Sequence, residues 1–283
     1  MEEIAKRIAR LAPAVREQSP LVHCITNYVT VNDVANGLLA IGASPIMSDD
    51  LDDVDDIARL ASAVDLNIGT LNHRTVTSMR HAGKVANAED IPVILDPVGA
   101  GASRMRNEAV SRLLEEVQFA VIRGNASELG FIAGLEVSTK GVDASEEDIS
   151  RDVVSLARDV AWKYNTTVAL TGPVDVITNG TETVRIMNGH PMLKSVTGTG
   201  CVTTALVGAW VAAARSSVLR AEEADLMAAA AGAVSMMGIA GEKAFAEAGE
   251  KGTGSFHMAL IDALSTITAD DFMQMGRYGQ EQL

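Results

Sequence analysis

Short apolar runs that end in polar residues alternate with amphipathic helical stretches through the first half of the chain. Leu21-Val22-His23-Cys24-Ile25 reads as a strand, and Val31 to Ile41 as a helix closed by Gly42. Ser44 to Met47 is a second strand, Asp53 to Ala61 a helix, Ala63 to Ile68 a third strand, and the region near Asn72 to Ala88 another helix. Pro92-Val93-Ile94-Leu95 ends at Asp96-Pro97, Arg104 to Val117 is helical, and Phe119 to Ile122 ends at Arg123-Gly124-Asn125. Strands apolar along their whole length need cover on both faces, and the helices between them supply it. The pattern predicts an α/β fold with a mostly parallel sheet between two helical layers.

The second half varies the theme. Thr167 to Leu170 is a strand ending at Thr171-Gly172. Val174 to Thr178 and Thr183 to Met187 flank Asn179-Gly180, a pair suited to the two positive φ angles of a tight hairpin turn. An antiparallel hairpin is expected there, at an edge of the sheet. Beyond Cys201 the chain reads as helical almost throughout. No Pro/Ser-rich linker, repeat or low-complexity tract interrupts it, so a single domain over residues 1–283 is expected.

Composition narrows the class. Hydrophobic residues make up 47% of the chain and aromatics only 4%, so aliphatic side chains must fill a large core. A formal net charge of -14 makes nucleic acid and anionic membrane poor partners, without excluding a small anionic substrate in a local basic pocket. Two cysteines, Cys24 and Cys201, with no CxxC pair argue against a disulfide scaffold or structural zinc. The start, Met1 to Arg7, is charged and amphipathic, and Leu226 to Ala240 is too short to span a bilayer comfortably. A cytoplasmic protein is expected.

The polar residues Asn27, Asp96, Arg123, Asn125 and Thr171 all fall at strand C-termini, where open α/β sheets bind ligands. Thr197-Gly198-Thr199-Gly200-Cys201 adds the sharpest local signal. It follows a stretch read as extended, Pro191 to Val196, and opens a helical run. A glycine-rich turn entering a helix presents unpaired N–H groups at the positive end of the helix dipole, which makes it an anion cradle. A cysteine there should have a lowered pKa and a thiolate within reach. Cys201 could accept a substrate proton, shape the pocket, or attack as a nucleophile. The five histidines are scattered without a triad-like context that would support the last role.

Asp96 could support a Mg²⁺ shell or simply close a turn. Glu128 could bind Mg²⁺ directly or through water, or cap its helix together with Asn125, and these roles are compatible. Arg123 could bridge nucleotide phosphates or stand as a surface arginine. Met47 could be core, or a flexible thioether against a flat ring. The acidic run Asp143 to Asp152 and the tail Gly276 to Leu283 carry no functional signal, and the tail reads as a loose terminus.

Five blocks in order resemble the hydroxyethylthiazole kinase family of the ribokinase-like superfamily, over about Ile4 to Leu264. They are His23 to Thr30, Gly42 to Met47, Leu95 to Gly101, Arg123 to Glu128, and Thr197 to Cys201. The resemblance implies a ribokinase-like three-layer α/β/α fold. It also implies ATP- and Mg²⁺-dependent phosphorylation of the hydroxyl of 4-methyl-5-(2-hydroxyethyl)thiazole, for thiamine synthesis or salvage. It implies that Met47 and Gly198 contact the thiazole, with Asn27 on the same side. Arg123 and Thr171 would contact ATP, with Asn125, Thr199 and Gly200 completing the phosphate side and Asp96 and Glu128 near the metal. Cys201 stands where most sugar kinases of the superfamily place an aspartate base. Homotrimers with active sites between subunits are implied as well. Related readings are a hydroxymethylpyrimidine or pyridoxal kinase-like enzyme. Readings of other classes are a silent nucleotide-binding protein and a thiol-dependent hydrolase.

Overall fold

The computed structural model describes residues 2–135, 146–216 and 224–280, without the side chains of 146–152 and 280. Six strands run parallel: β1 Leu21–Ile25, β2 Ser44–Ile46, β3 Ala63–Asn67, β4 Val93–Asp96, β5 Val121–Gly124 and β6 Thr167–Leu170. Three more continue the sheet antiparallel: β7 Asp175–Thr178, β8 Thr183–Ile186 and β9 Tyr278–Gln280. The strand order is β2-β1-β3-β4-β5-β6-β7-β8-β9.

Side chains alternate across the sheet even where both faces are apolar. Val22, Cys24, Ile94, Val121, Ala169 and Ile177 join one core. Ile25, Leu66, Leu95, Ile122, Leu170 and Val176 join the other. Helices α1 Glu2–Gln18, α2 Val31–Ala40, α8 Thr199–Ser216, α9 Leu226–Ala248, α10 Thr253–Thr266 and α11 Ala269–Gln274 cover the first face. Helices α3 Val54–Leu60, α4 His73–Ala88, α5 Arg104–Glu116, α6 Ala126–Ala133 and α7 Glu146–Tyr164 cover the second. This is the three-layer α/β/α architecture the sequence pattern predicts.

Helix starts follow local chemistry. Asn72 and Thr75 form a capping box on α4, and the Ser103 hydroxyl accepts the Arg106 N–H at the head of α5. Helix α8 has no polar face: from Cys201 to Ala214 every residue is buried, between the sheet and α9. Trp210 at its centre is fully buried and meets Phe272 of α11 edge-to-face, with centroids 5.5 Å apart. Such a pair adds about 1 kcal/mol to the burial of the rings. A rigid α8 fixes where its first turn points.

Three local expectations are corrected. Pro191–Ser195 is a 3₁₀ helix, not an extended stretch: Pro191 is pre-set for a first helical position, and the His190 ring Nδ1 accepts the Met192 N–H as its cap. The β7–β8 hairpin forms, but through a four-residue loop in which only Gly180 has positive φ. The Asn179 side chain instead takes the N–H groups of Thr181 and Glu182, a local turn that competes with the two-residue form. The described part of the tail is not loose, because Tyr278–Gln280 pairs with β8 as a ninth strand. The acidic run 143–152 lies outside the residues whose side chains are described.

Candidate active site

The parallel strands bring their C-terminal ends to one edge of the sheet, and α8 begins above that edge. Gly198 makes this start possible. Its φ of +87° favours glycine, and a Cβ there would stand 2.7 Å from Thr30 Cγ2. The Gly198 carbonyl accepts the first helical bond, from Val202 N–H at 2.8 Å. The N–H groups of Thr199, Gly200 and Cys201 precede any intrahelical acceptor, so the cradle has the form the sequence suggested. Thr199 anchors the turn through its hydroxyl, which donates to the Leu193 carbonyl at 3.2 Å.

Arg123 lies against this cradle. A Cβ on Gly200 would be 2.7 Å from Arg123 Nη1, so glycine is what lets the guanidinium reach the helix start. The arginine is not a surface residue, since its side chain is only 15% exposed. Its Nη1 stands 3.7 Å from Asp96 Oδ2. Arg123, Thr171, Thr199 and Gly200 line a cavity of about 400 Å³ that runs along the 3₁₀ segment towards α9.

Asp96 is fully buried at the end of β4. Its Oδ2 accepts from Asn67 Nδ2 at 3.0 Å and from the Thr204 hydroxyl at 2.7 Å. Its Oδ1 meets no donor among the described residues. Burial pushes this carboxyl up to about 6, against the pull of Arg123 and Thr204, with Glu128 adding to the rise. Asp96 is therefore mostly ionised at neutral pH, with one oxygen free for a hard cation.

Glu128 and Asn125 do form a capping box on α6. Glu128 Oε2 accepts the Asn125 N–H at 2.8 Å and Oε1 accepts the Gly99 N–H at 2.9 Å. Each oxygen already serves a backbone donor, which suits Glu128 to a water-mediated place near a cation better than a direct one. Among the described residues no group of three or more His, Cys, Asp or Glu is arranged to hold a metal. A Mg²⁺ carried on nucleotide phosphates needs only one or two protein carboxylates, and Asp96 Oδ1 with Glu128 behind it fits that requirement.

The thiol of Cys201 is almost wholly buried, and its sulfur accepts from Asn27 Nδ2 at 3.1 Å. The expected lowering of its pKa is corrected. Burial raises it above the ordinary thiol value, and the nearby Asp96 charge adds to the rise, outweighing hydrogen bonds from Thr30 and Asn67. The helix start favours the thiolate, but desolvation beside a carboxylate favours the thiol more. Met47 follows β2, on the strand beside β1, and is half-buried against the core. It stands at the neighbouring strand end to Asn27 and does not line the cavity.

Sequence reasoning passed over Asn67, Thr204, Arg106 and Asp175. Asn67 carries the signal used for Asp96, a polar residue closing an apolar strand, and pairs with Asp96 in register. Thr204 stands with Thr203 at the head of the apolar run of α8. Arg106 binds the carbonyls of Ile68, Gly69 and Val98, tying the loops after β3 and β4 together. Asp175 lines the cavity and accepts the Gly172 N–H at 2.9 Å. Burial pushes its carboxyl up to about 7, against the pull of Gly172 and Arg123.

The sheet with its antiparallel edge and the helix start over its strand ends give the molecule a ribokinase-like fold. A ribokinase-like superfamily protein from Enterococcus faecalis V583 shares the fold with a TM-score of 0.58, covering 88% of this chain and 87% of that one at 11% identity. A narrower grouping follows from the sequence. The model of the hydroxyethylthiazole kinase family matches residues 13–270. A hydroxyethylthiazole kinase from Ruminiclostridium cellulolyticum is 52% identical, over 99% of this chain and 100% of that protein. The solved structure of the hydroxyethylthiazole kinase protein from Pyrococcus horikoshii OT3 has a TM-score of 0.85 at 38% identity, covering 97% and 99% of the two chains. The chain belongs to the hydroxyethylthiazole kinase family, and as a kinase it takes ATP as co-substrate. No described helix is long and apolar enough to cross a membrane.

Proposed function

We propose that this kinase transfers the γ-phosphoryl group of ATP to the hydroxyl of 4-methyl-5-(2-hydroxyethyl)thiazole, giving the thiazole phosphate used in thiamine synthesis or salvage. The observation that carries the reading is the Arg123 guanidinium packed on Gly200 at the open start of α8, facing the cavity. It supplies N–H donors and a fixed cation at one point, which a migrating phosphoryl group requires. ATP lies along the cavity, with Arg123 and Thr171 on its phosphates. Asn27, Gly198 and Met47 receive the thiazole on the other side of the cradle. Mg²⁺, held by Asp96 with Glu128 behind it, would neutralise polyphosphate charge.

The alcohol oxygen approaches in line, and the N–H groups of Thr199 to Cys201 hold the equatorial oxygens as charge shifts onto them. The transition state is loose, so the proton leaves the alcohol late. The thiolate form of Cys201, the minor species at neutral pH, can take it at that stage and become the thiol, with Asn27 Nδ2 donating to the sulfur. Tyr28 and Val29 are 76% and 60% exposed beside Asn27. Apolar surface at the mouth of a site suits cover by a second copy, and a homotrimer with shared sites accounts for it. A cytoplasmic location fits the same reading. The test is ADP release with hydroxyethylthiazole, hydroxymethylpyrimidine or pyridoxal, with and without Mg²⁺. Thiazole-dependent, Mg²⁺-dependent turnover is expected. Faster turnover with either of the other alcohols would replace the substrate assignment.

A further inference from the structure

The loop after β8, Met187-Asn188-Gly189-His190, walls the cavity opposite Arg123 and Thr171. Two residues outside the chemistry above hold it from behind, Glu242 of α9 and Arg277 just ahead of β9. Glu242 Oε1 accepts the Gly189 N–H at 2.7 Å and Arg277 Nη2 at 2.6 Å. Asn188 Nδ2 donates to the same oxygen at 3.2 Å and to the Met275 carbonyl at 3.0 Å. Arg277 donates through Nη2 to the Met187 carbonyl at 2.8 Å, and through its backbone N–H to Asn188 Oδ1 at 2.7 Å. Glu242 and Arg277, the latter through guanidinium and backbone, thus bond polar groups of each of the first three loop residues.

Helix α9 presents a whole face to this loop. Gly238 gives the room, since a Cβ there would stand 2.8 Å from the Asn188 carbonyl carbon. One turn on is Glu242, and Phe245 follows at i+3 on the same side. The Phe245 ring stacks on the His190 imidazole with centroids 3.7 Å apart. Neither Glu242 nor Arg277 lines the cavity, while Asn188, Gly189 and His190 do.

We propose that Glu242 and Arg277 are positioning residues for the nucleotide: the last strand and α9 hold the 187–190 loop in the shape that receives ATP, and so set ATP affinity from outside the cavity. This rests on the placement of ATP given above. The Arg277 side chain is half-exposed, but its charge-assisted bonds meet a mostly buried Glu242, and losing them should weaken nucleotide binding roughly tenfold. The thiazole side of the cradle is built from β1, β2 and α8, and should not respond.

The test measures ADP affinity by titration calorimetry, and kcat with both KM values, for Arg277→Ala, Arg277→Lys, Glu242→Gln and Arg123→Ala. The expected result is a roughly tenfold rise in ADP Kd and ATP KM for Arg277→Ala, with thiazole KM and kcat within about twofold of wild type. Lysine keeps the charge but cannot fork between Glu242 and Met187, so it should restore part of the loss. Where the alanine variant does not fold, Glu242→Gln and Arg277→Lys read the same split. Wild-type ADP affinity in the Arg277 and Glu242 variants, with Arg123→Ala weakened, overturns the proposal and leaves the ATP placement standing. A parallel loss of kcat and both substrates also overturns it, as a merely structural effect. Unchanged ADP affinity in Arg123→Ala removes the ATP placement and the proposal together.

Discussion

Cys201 shows how two forces of opposite sign meet on one atom. The helix start stabilises a thiolate, while burial and Asp96 stabilise the thiol, and the second pair prevails. The resting enzyme therefore holds a neutral sulfur at neutral pH. Because the thiol pKa is raised, the base form grows as pH climbs towards and past the ordinary thiol range. Wild-type kcat should rise from pH 7 upwards, measured under saturating substrates. Cys201→Asp should keep or improve turnover and move that rise to lower pH. Cys201→Ala should lose roughly 10²-fold in kcat. Full turnover in the alanine variant would end the proton-acceptor role. Asp65 is a second buried acid with a different consequence. It is fully buried on β3 opposite Cys24, and neither of its oxygens meets a donor among the described residues. Burial holds its pKa well above the usual carboxylate range, with Asp96 adding to the rise. An unfolded aspartate titrates near about 4, so native stability is full below that pH and falls as pH rises towards the folded value. Asp65→Val should therefore raise the melting temperature at pH 7, by the equivalent of about 1–3 kcal/mol, with the gain shrinking towards pH 4. No gain at pH 7 would mean that the carboxyl has a partner in solution.

At the scale of elements, the start of α8 separates function from stability. Gly200 is helical, so alanine should help the helix by up to about 1 kcal/mol. The same methyl would press on Arg123 Nη1 from 2.7 Å, and the guanidinium, being the far end of a flexible side chain, would yield. Gly200→Ala should melt at or above the wild-type temperature while losing about tenfold or more in kcat/KM for ATP. A variant with wild-type kinetics would show that Arg123 does not need its seat on the cradle. The same element shows what could be read in advance. Periodicity and strand-end polarity gave the six parallel strands, the hairpin and the cradle, because each is encoded within a few residues. The 3₁₀ segment Pro191–Ser195 was misread because proline suits both an extended chain and a first helical position. Strand β9 was missed because three residues with no alternating pattern gain strand form only from Val184, Arg185 and Ile186, far away in sequence. The rise in the Cys201 pKa was hidden for a related reason: burial and the approach of Asp96 are products of the fold, not of local spacing.

At the scale of the whole molecule, the sheet's order gathers residues from Asn27 to Cys201 at one edge, and the resemblance in five blocks marked most of them in advance. Thr204 escaped because its hydrogen bond to Asp96 is made across the fold, whereas Asn67 closes an apolar strand as Asp96 does and was legible on the same signal. The exposed Tyr28 and Val29 bear on assembly. Light scattering at micromolar concentration should give three times the chain mass, and Val29→Glu should lower both that mass and thiazole turnover; a monomeric, fully active wild type would confine the site to one chain. The central claim is that the first turn of α8 receives the phosphoryl group between ATP and the thiazole alcohol. A crystal structure with a non-hydrolysable ATP analogue and hydroxyethylthiazole tests it most directly. The account predicts terminal phosphate oxygens within hydrogen-bond distance of the Gly200 and Cys201 N–H groups, Arg123 on the phosphates, and the alcohol oxygen beside the Cys201 sulfur. Either ligand bound away from Gly200 would contradict it.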